Sequence, residues 1–289
     1  MVMGSSIPSG SEIQVRGSDG RALHGRSFGP VAGKPVLFIS GAATGSSMYF
    51  AGELLSRANI RLLTMSRPGM EGSDPDPDRT LESTVRDYKT FLEAALGKDA
   101  VSVPVVANSQ GSVFGLGAAV HGWASRLVLV SPADEVSHPV IRAMLPADAT
   151  KLPDLAHQDP QAAVEVLQSF TPEAMEAMVF ANAHDSDRAF YARDSFLSLY
   201  RHSLGEGFAN GGQGYIRDTL IAMRQWTLAL DAVDVPVTIM FGANDTGHSP
   251  DHGQMLAGRI PGACRRVIPN AGGALLWTHP KLVLDAITE

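Results

Sequence analysis

Residues 101–117 read VSVPVVANSQGSVFGLG. An apolar, β-branched run through Val106 stops at Ala107-Asn108-Ser109-Gln110-Gly111 and gives way to small and apolar residues suited to a tightly packed helix. The pattern predicts a strand, a sharp turn and a helix. Ala107 and Gly111 flank Ser109 by two residues on each side, and their small size lets the backbone turn tightly enough for the serine hydroxyl to stand clear at the strand end.

The rest of the chain supplies a frame for that turn. It has 289 residues, 44% hydrophobic and 18% charged, enough for a substantial core in one large or two small domains. A net charge of -7 without a basic patch argues against nucleic acid and anionic membrane as partners. The one cysteine, Cys264, excludes an internal disulfide framework, and the scattered histidines show no zinc-ligand spacing, so no metal or cofactor is expected. The opening MVMGSSIPSGSE lacks a basic stretch followed by an apolar one, and no apolar run reaches bilayer length. The expectation is a soluble, cytoplasmic protein, with homo-oligomerisation left open.

In chain order, residues 1–10 read as a tail and residues 12–16 and 22–28 as a hairpin. Residues 35–39 are a near-continuous apolar run, as in a strand buried on both faces, and lead into the small-residue loop Ser40-Gly41-Ala42-Ala43-Thr44-Gly45-Ser46-Ser47. A helix over 49–58 and a strand over 60–65 follow, then Ser66-Arg67-Pro68-Gly69-Met70-Glu71-Gly72-Ser73-Asp74. Apolar spacing predicts a helix over 80–96 that Gly97 ends, and residues 126–130 make the strand after the Ser109 helix. Strands alternating with helices imply a mostly parallel sheet covered on both faces. Over 133–232 that rhythm stops in a helical segment rich in Met and aromatics, with a glycine-rich link at 205–214 and a helix over 215–230. Residues 235–241 resume as a strand ending in Gly242-Ala243-Asn244-Asp245-Thr246, before a helix from 251, a strand over 264–268 and a final helix over 282–287.

Ala107-Asn108-Ser109-Gln110-Gly111 resembles the nucleophile elbow of α/β-hydrolases, with Ala in place of the first glycine, and Arg67-Pro68-Gly69 with Gly72-Ser73 resembles a segment common in that family. The resemblance implies an α/β-hydrolase core over 1–132 and 233–289 and a helical cap over 133–232. It implies Ser109 as nucleophile, Asp245 as the acid, with Asp134 or Glu135 as an alternative acid position, and the amides of Ala42 and Gln110 as oxyanion donors. The activity implied is hydrolysis of a carboxylic ester, lactone or related acyl bond of a small apolar molecule.

One family residue is missing. In Asn270-Ala271-Gly272-Gly273-Ala274-Leu275-Leu276-Trp277-Thr278-His279-Pro280, Gly273 occupies the position of the histidine that acts as general base. A serine hydroxyl at neutral pH is a weak nucleophile unless a base takes its proton. Three readings stay open: His248 or His279 serves as base; a histidine has been replaced; or the pocket hosts a lyase, cyclase or isomerase reaction, or ligand binding without catalysis. If the base is simply absent, a small polar gap is expected beside Gly273, and Gly273→His is expected to raise hydrolysis.

Overall fold

A computed structural model describes residues 10–97 and 102–289; residues 1–9 of the tail expected over 1–10 and the first residue of the expected strand, Val101, lie outside the described residues. Eight strands form one sheet: β1 (Ser11–Arg16), β2 (Ala22–Phe28), β3 (Lys34–Ile39), β4 (Ile60–Met65), β5 (Val103–Ser109), β6 (Ala124–Pro132), β7 (Val237–Gly242) and β8 (Cys264–Ile268). Their order is β1-β2-β4-β3-β5-β6-β7-β8, with β1 and β2 antiparallel and all pairs from β4 to β8 parallel.

Alternation along the central strands explains their unbroken apolar runs. Val36, Phe38, Val106, Val128, Val130 and Met240 join a core on one face, while Leu37, Ile39, Val105, Leu127, Ile239 and Phe241 join a core on the other. A strand with helices on both sides has no polar face to show. The second core is closed by the helices Leu81–Leu96 and Ser112–Val120, the first by Pro280–Thr288 and by helices from the segment between β6 and β7. Thr80 and Ser83 form a reciprocal capping box at the start of Leu81–Leu96.

Four expected elements differ. The helix expected from 251 is Gln254–Gly258, because His252 (φ 52°) and Gly253 (φ 75°) are left-handed. The helix expected over 49–58 is only Leu54–Arg57, because Ala51 (φ 69°) and Gly52 (φ 47°) are left-handed and break the helical path. The expected link at 205–214 begins inside the helix Asp194–Gly207; Gly207 is needed there because a Cβ would collide with the Ala43 carbonyl oxygen. The helix expected over 215–230 is Gln213–Met223, and beyond it the Trp226 N–H donates to Glu135 Oε1 (2.8 Å), which pulls the chain away from the helix axis.

Candidate active site

The turn at Ser109 has a cause in each of its small neighbours. Ser109 has φ 49°, a left-handed conformation that a non-glycine residue holds only where its surroundings fix it. A Cβ on Gly111 would collide with the Ser40 carbonyl oxygen, so the turn can pass under β3 only with glycine at that position. A Cβ on Gly115 would lie 2.8 Å from that of Ala107, the contact that seats the helix Ser112–Val120 against its own strand. Asn108 Nδ2 donates to the Val130 carbonyl (2.8 Å), tying the turn to β6.

The loop after β3 is held from beneath by a buried arginine. Arg67 donates from Nη1 to the Ser40 carbonyl (3.0 Å) and from Nη2 to the Gly41 carbonyl (2.8 Å), and its Nε donates to Asp218 Oδ2 (2.5 Å). Its guanidinium lies 5.4 Å from the centre of the Phe114 ring. Arg79 donates to the other Asp218 oxygen and to the Pro68 carbonyl. Burial works against both guanidinium charges; in Arg67 the facing Asp218 wins and holds the group protonated. The Arg67-Pro68-Gly69 segment therefore serves a physical purpose, since it fixes the peptide planes that lead to Ala42.

After β7, one turn brings a carboxylate and an imidazole together. His248 Nδ1 lies 2.9 and 3.0 Å from the two carboxylate oxygens of Asp245, and the Gly247 N–H donates to Asp245 Oδ1 (3.1 Å). Burial pushes the Asp245 carboxyl up, but His248 outweighs it and holds the group below its usual range. Burial likewise pushes the His248 imidazole down, and Asp245 outweighs it, leaving the pKa above the ordinary 6.5.

The loop after β8 is built differently. A Cβ on Gly273 would lie 3.2 Å from Asp245 Oδ1 and 3.3 Å from His248 Cε1. The polar gap expected beside Gly273 is therefore taken by the His248 ring, which stands against the bare backbone. The Gly273 N–H donates to Asp187 Oδ2 (2.7 Å), and a Cβ on Gly272 would collide with that same carboxylate. Asp187 belongs to the helix Asp185–Tyr191 in the segment between β6 and β7.

These parts meet around a cavity of 340 Å³. Gly41, Ala42, Ser109, Asp245, His248 and Gly273 line it from the sheet edge. Met175, Tyr191, Phe196 and Tyr200 line it from the helices between β6 and β7, with Trp277 beside them. Such a volume with mostly apolar walls and a few convergent polar groups suits a small organic molecule. His279 does not line the cavity; its ring bonds the neighbouring Thr278 hydroxyl (2.9 Å) at the surface. Gln110 is absent from the lining as well, and its side-chain Nε2 donates to Thr219 (3.2 Å). Asp134 lines the cavity but bonds Ser249 and the Glu135 N–H, and Glu135 pairs with Arg259.

A family model described as "Alpha/beta hydrolase family" matches residues 36–286. The chain belongs to the α/β-hydrolase family. Among solved structures of this fold, a hydrolase from Pseudomonas aeruginosa PA01 superposes with a TM-score of 0.70 at 20% identity, covering 96% of this chain and 97% of that one. The enol-lactonase from Burkholderia xenovorans LB400 gives 0.67 at 18% identity, covering 94% and 98%. A thermophilic esterase from Thermogutta terrifontis gives 0.66 at 18%, covering 96% and 97%. A search of curated proteins finds no match. Among the described residues, no helix of this α/β-hydrolase is long and apolar enough to cross a membrane, and no cluster of three metal-ligating side chains occurs.

Two residues of the α/β-hydrolase site escape sequence reasoning. Asp187 reaches Gly273 from 86 positions away, and Asp218 reaches Arg67 from 151. The paired glycines at 272–273 are the one local signal that something approaches the backbone there.

Proposed function

We propose that this chain is a serine hydrolase of small apolar esters or lactones in which the general base has moved from the loop after β8 to the turn after β7. Ser109 is the nucleophile, His248 the base and Asp245 the acid that orients it. The observation that carries this reading is the pairing of His248 Nδ1 with both oxygens of Asp245 at the cavity wall, against a glycine in the usual histidine position.

With Nδ1 turned to Asp245, the Nε2 of His248 is left to take the Ser109 proton as Oγ attacks the acyl carbon. The amides of Ala42 and Gln110 stabilise the oxyanion, with the Ala42 peptide steadied through Arg67. The imidazolium then protonates the departing alcohol, and water repeats the sequence to release the acid. The helices over 133–232 act as the cap that encloses the acyl group.

A fluorophosphonate probe tests the nucleophile and p-nitrophenyl butyrate tests turnover. Labelling of Ser109 together with hydrolysis that Ser109→Ala and His248→Ala each abolish is the expected result. Ordinary turnover by the His248→Ala protein would overturn the assignment of the base.

A further inference from the structure

The cavity has a charge pattern of its own. Its charged lining residues are Asp134, Asp187, Asp245 and His248; no lysine or arginine is among them. All three carboxylates are nearly out of water, at 5%, 3% and 6% exposure. The one imidazole already faces Asp245. Asp134 accepts from the Ser249 hydroxyl (3.1 Å) and the Glu135 N–H (2.8 Å), and Asp187 from the Gly273 N–H, so neutral donors hold them without cancelling their charge.

Resting on the reading of this cavity as the acyl site, we infer that it takes acyl groups carrying no negative charge, and that Asp187 is the main residue excluding acyl chains that end in a carboxylate. Asp187 stands on the same helix as Tyr191, four residues on, and both line the cavity. That spacing puts the carboxylate and the ring on one helix face. The Tyr191 ring stacks on Phe196 (5.4 Å between centroids), which meets Trp277 edge-on (5.2 Å). An apolar acyl chain entering along this wall gains contact throughout, whereas a carboxylate would lose its water beside Asp187 and find no lysine or arginine, the one imidazole being already turned to Asp245.

The protein's own carboxyls register that penalty. Burial pushes Asp187 up despite the backbone amides of Ala274 and Gly273, and pushes Asp134 up despite Glu135 and Ser249. An incoming carboxylate would meet the same desolvation.

Two esters of matched length, p-nitrophenyl butyrate and p-nitrophenyl hemisuccinate, test the inference. The expected kcat/KM favours butyrate by at least about tenfold, the scale of a modest like-charge contact. Asp187→Asn keeps an oxygen for the Gly273 N–H and is expected to narrow the ratio several-fold; Asp134→Asn narrows it less. A ratio is insensitive to partial loss of folded protein. Binding of both esters to the Ser109→Ala protein, followed by calorimetry, separates this inference from the mechanism: absent turnover with butyrate still preferred breaks the mechanism alone. Hemisuccinate bound as tightly as butyrate, or a ratio unmoved by either variant, would overturn the selectivity assigned here.

Discussion

The turn after β7 and the loop after β8 lie side by side at the sheet edge, yet one carries two ionisable side chains and the other none. In the first, Asp245 and His248 are three residues apart and bonded to each other. In the second, Gly272 and Gly273 present bare backbone, and the carboxylate that meets it comes from a distant helix. The difference teaches that a missing side chain is not a missing group: the glycine is the space that an imidazole on the neighbouring turn occupies. An imidazole on the turn after β7 can stand against the loop after β8 only where that loop carries no bulky side chain.

The largest test of this contrast removes the imidazole. His248→Ala is expected to lower kcat for p-nitrophenyl butyrate by about 10⁴-fold or more, the scale seen when a triad member is lost from serine proteases. His279→Ala, outside the cavity, is expected to leave kcat within about twofold.

Putting a histidine on the second loop sharpens the comparison. In the wild-type background Gly273→His is expected to lower activity at least about tenfold, because its Cβ would press on a ring 3.3 Å away. In the His248→Ala background the same change has room and is expected to recover part of the lost rate. Activation by Gly273→His alone would mean that the ring at 248 is not serving as base.

The pH profile gives a smaller and more specific readout. A base works only when unprotonated, so activity must fall as pH drops through the His248 pKa. Asp245 raises that pKa, which places the midpoint of the acid limb above 6.5. In Asp245→Asn the raising charge is gone while burial, which lowers it, remains, so the midpoint is expected to move to lower pH even as the rate falls. A midpoint that stays in place would remove Asp245 as the partner.

The smallest effect concerns stability. Asp187→Ala leaves the buried Gly273 N–H without its acceptor, expected to cost about 1–3 kcal/mol in chemical denaturation. Asp187→Asn, which keeps an acceptor, is expected to cost less.

The sequence carries the sheet and the sharp turn well, because both are local. Two-sided apolar runs such as residues 35–39 have one structural outlet, and the demands of the Ser109 turn fall on Ala107 and Gly111 within two positions. The helical segment is read less well: its length and character are legible, but not that Gly207 lies inside a helix or that Gln213–Met223 stops short of Trp226. Both follow from contacts with residues far away in the chain, Ala43 and Glu135. His248 enters the sequence reading only as one of two alternatives, since a spacing of three does not say which side of a turn the ring faces. Asp187 does not enter it at all, because a helical carboxylate says nothing of the loop it will reach.

Asp218 ties a late segment of the chain to an early one. Arg67 and Arg79 are fully buried charges whose shared carboxylate follows them by 151 and 139 residues. The burial of those two guanidinium groups is compensated only with the helix Gln213–Met223 docked against the first half of the chain. Through Arg67, the same carboxylate braces the guanidinium that donates to the carbonyls of Ser40 and Gly41. The pocket floor is thus braced by a residue that does not line the cavity.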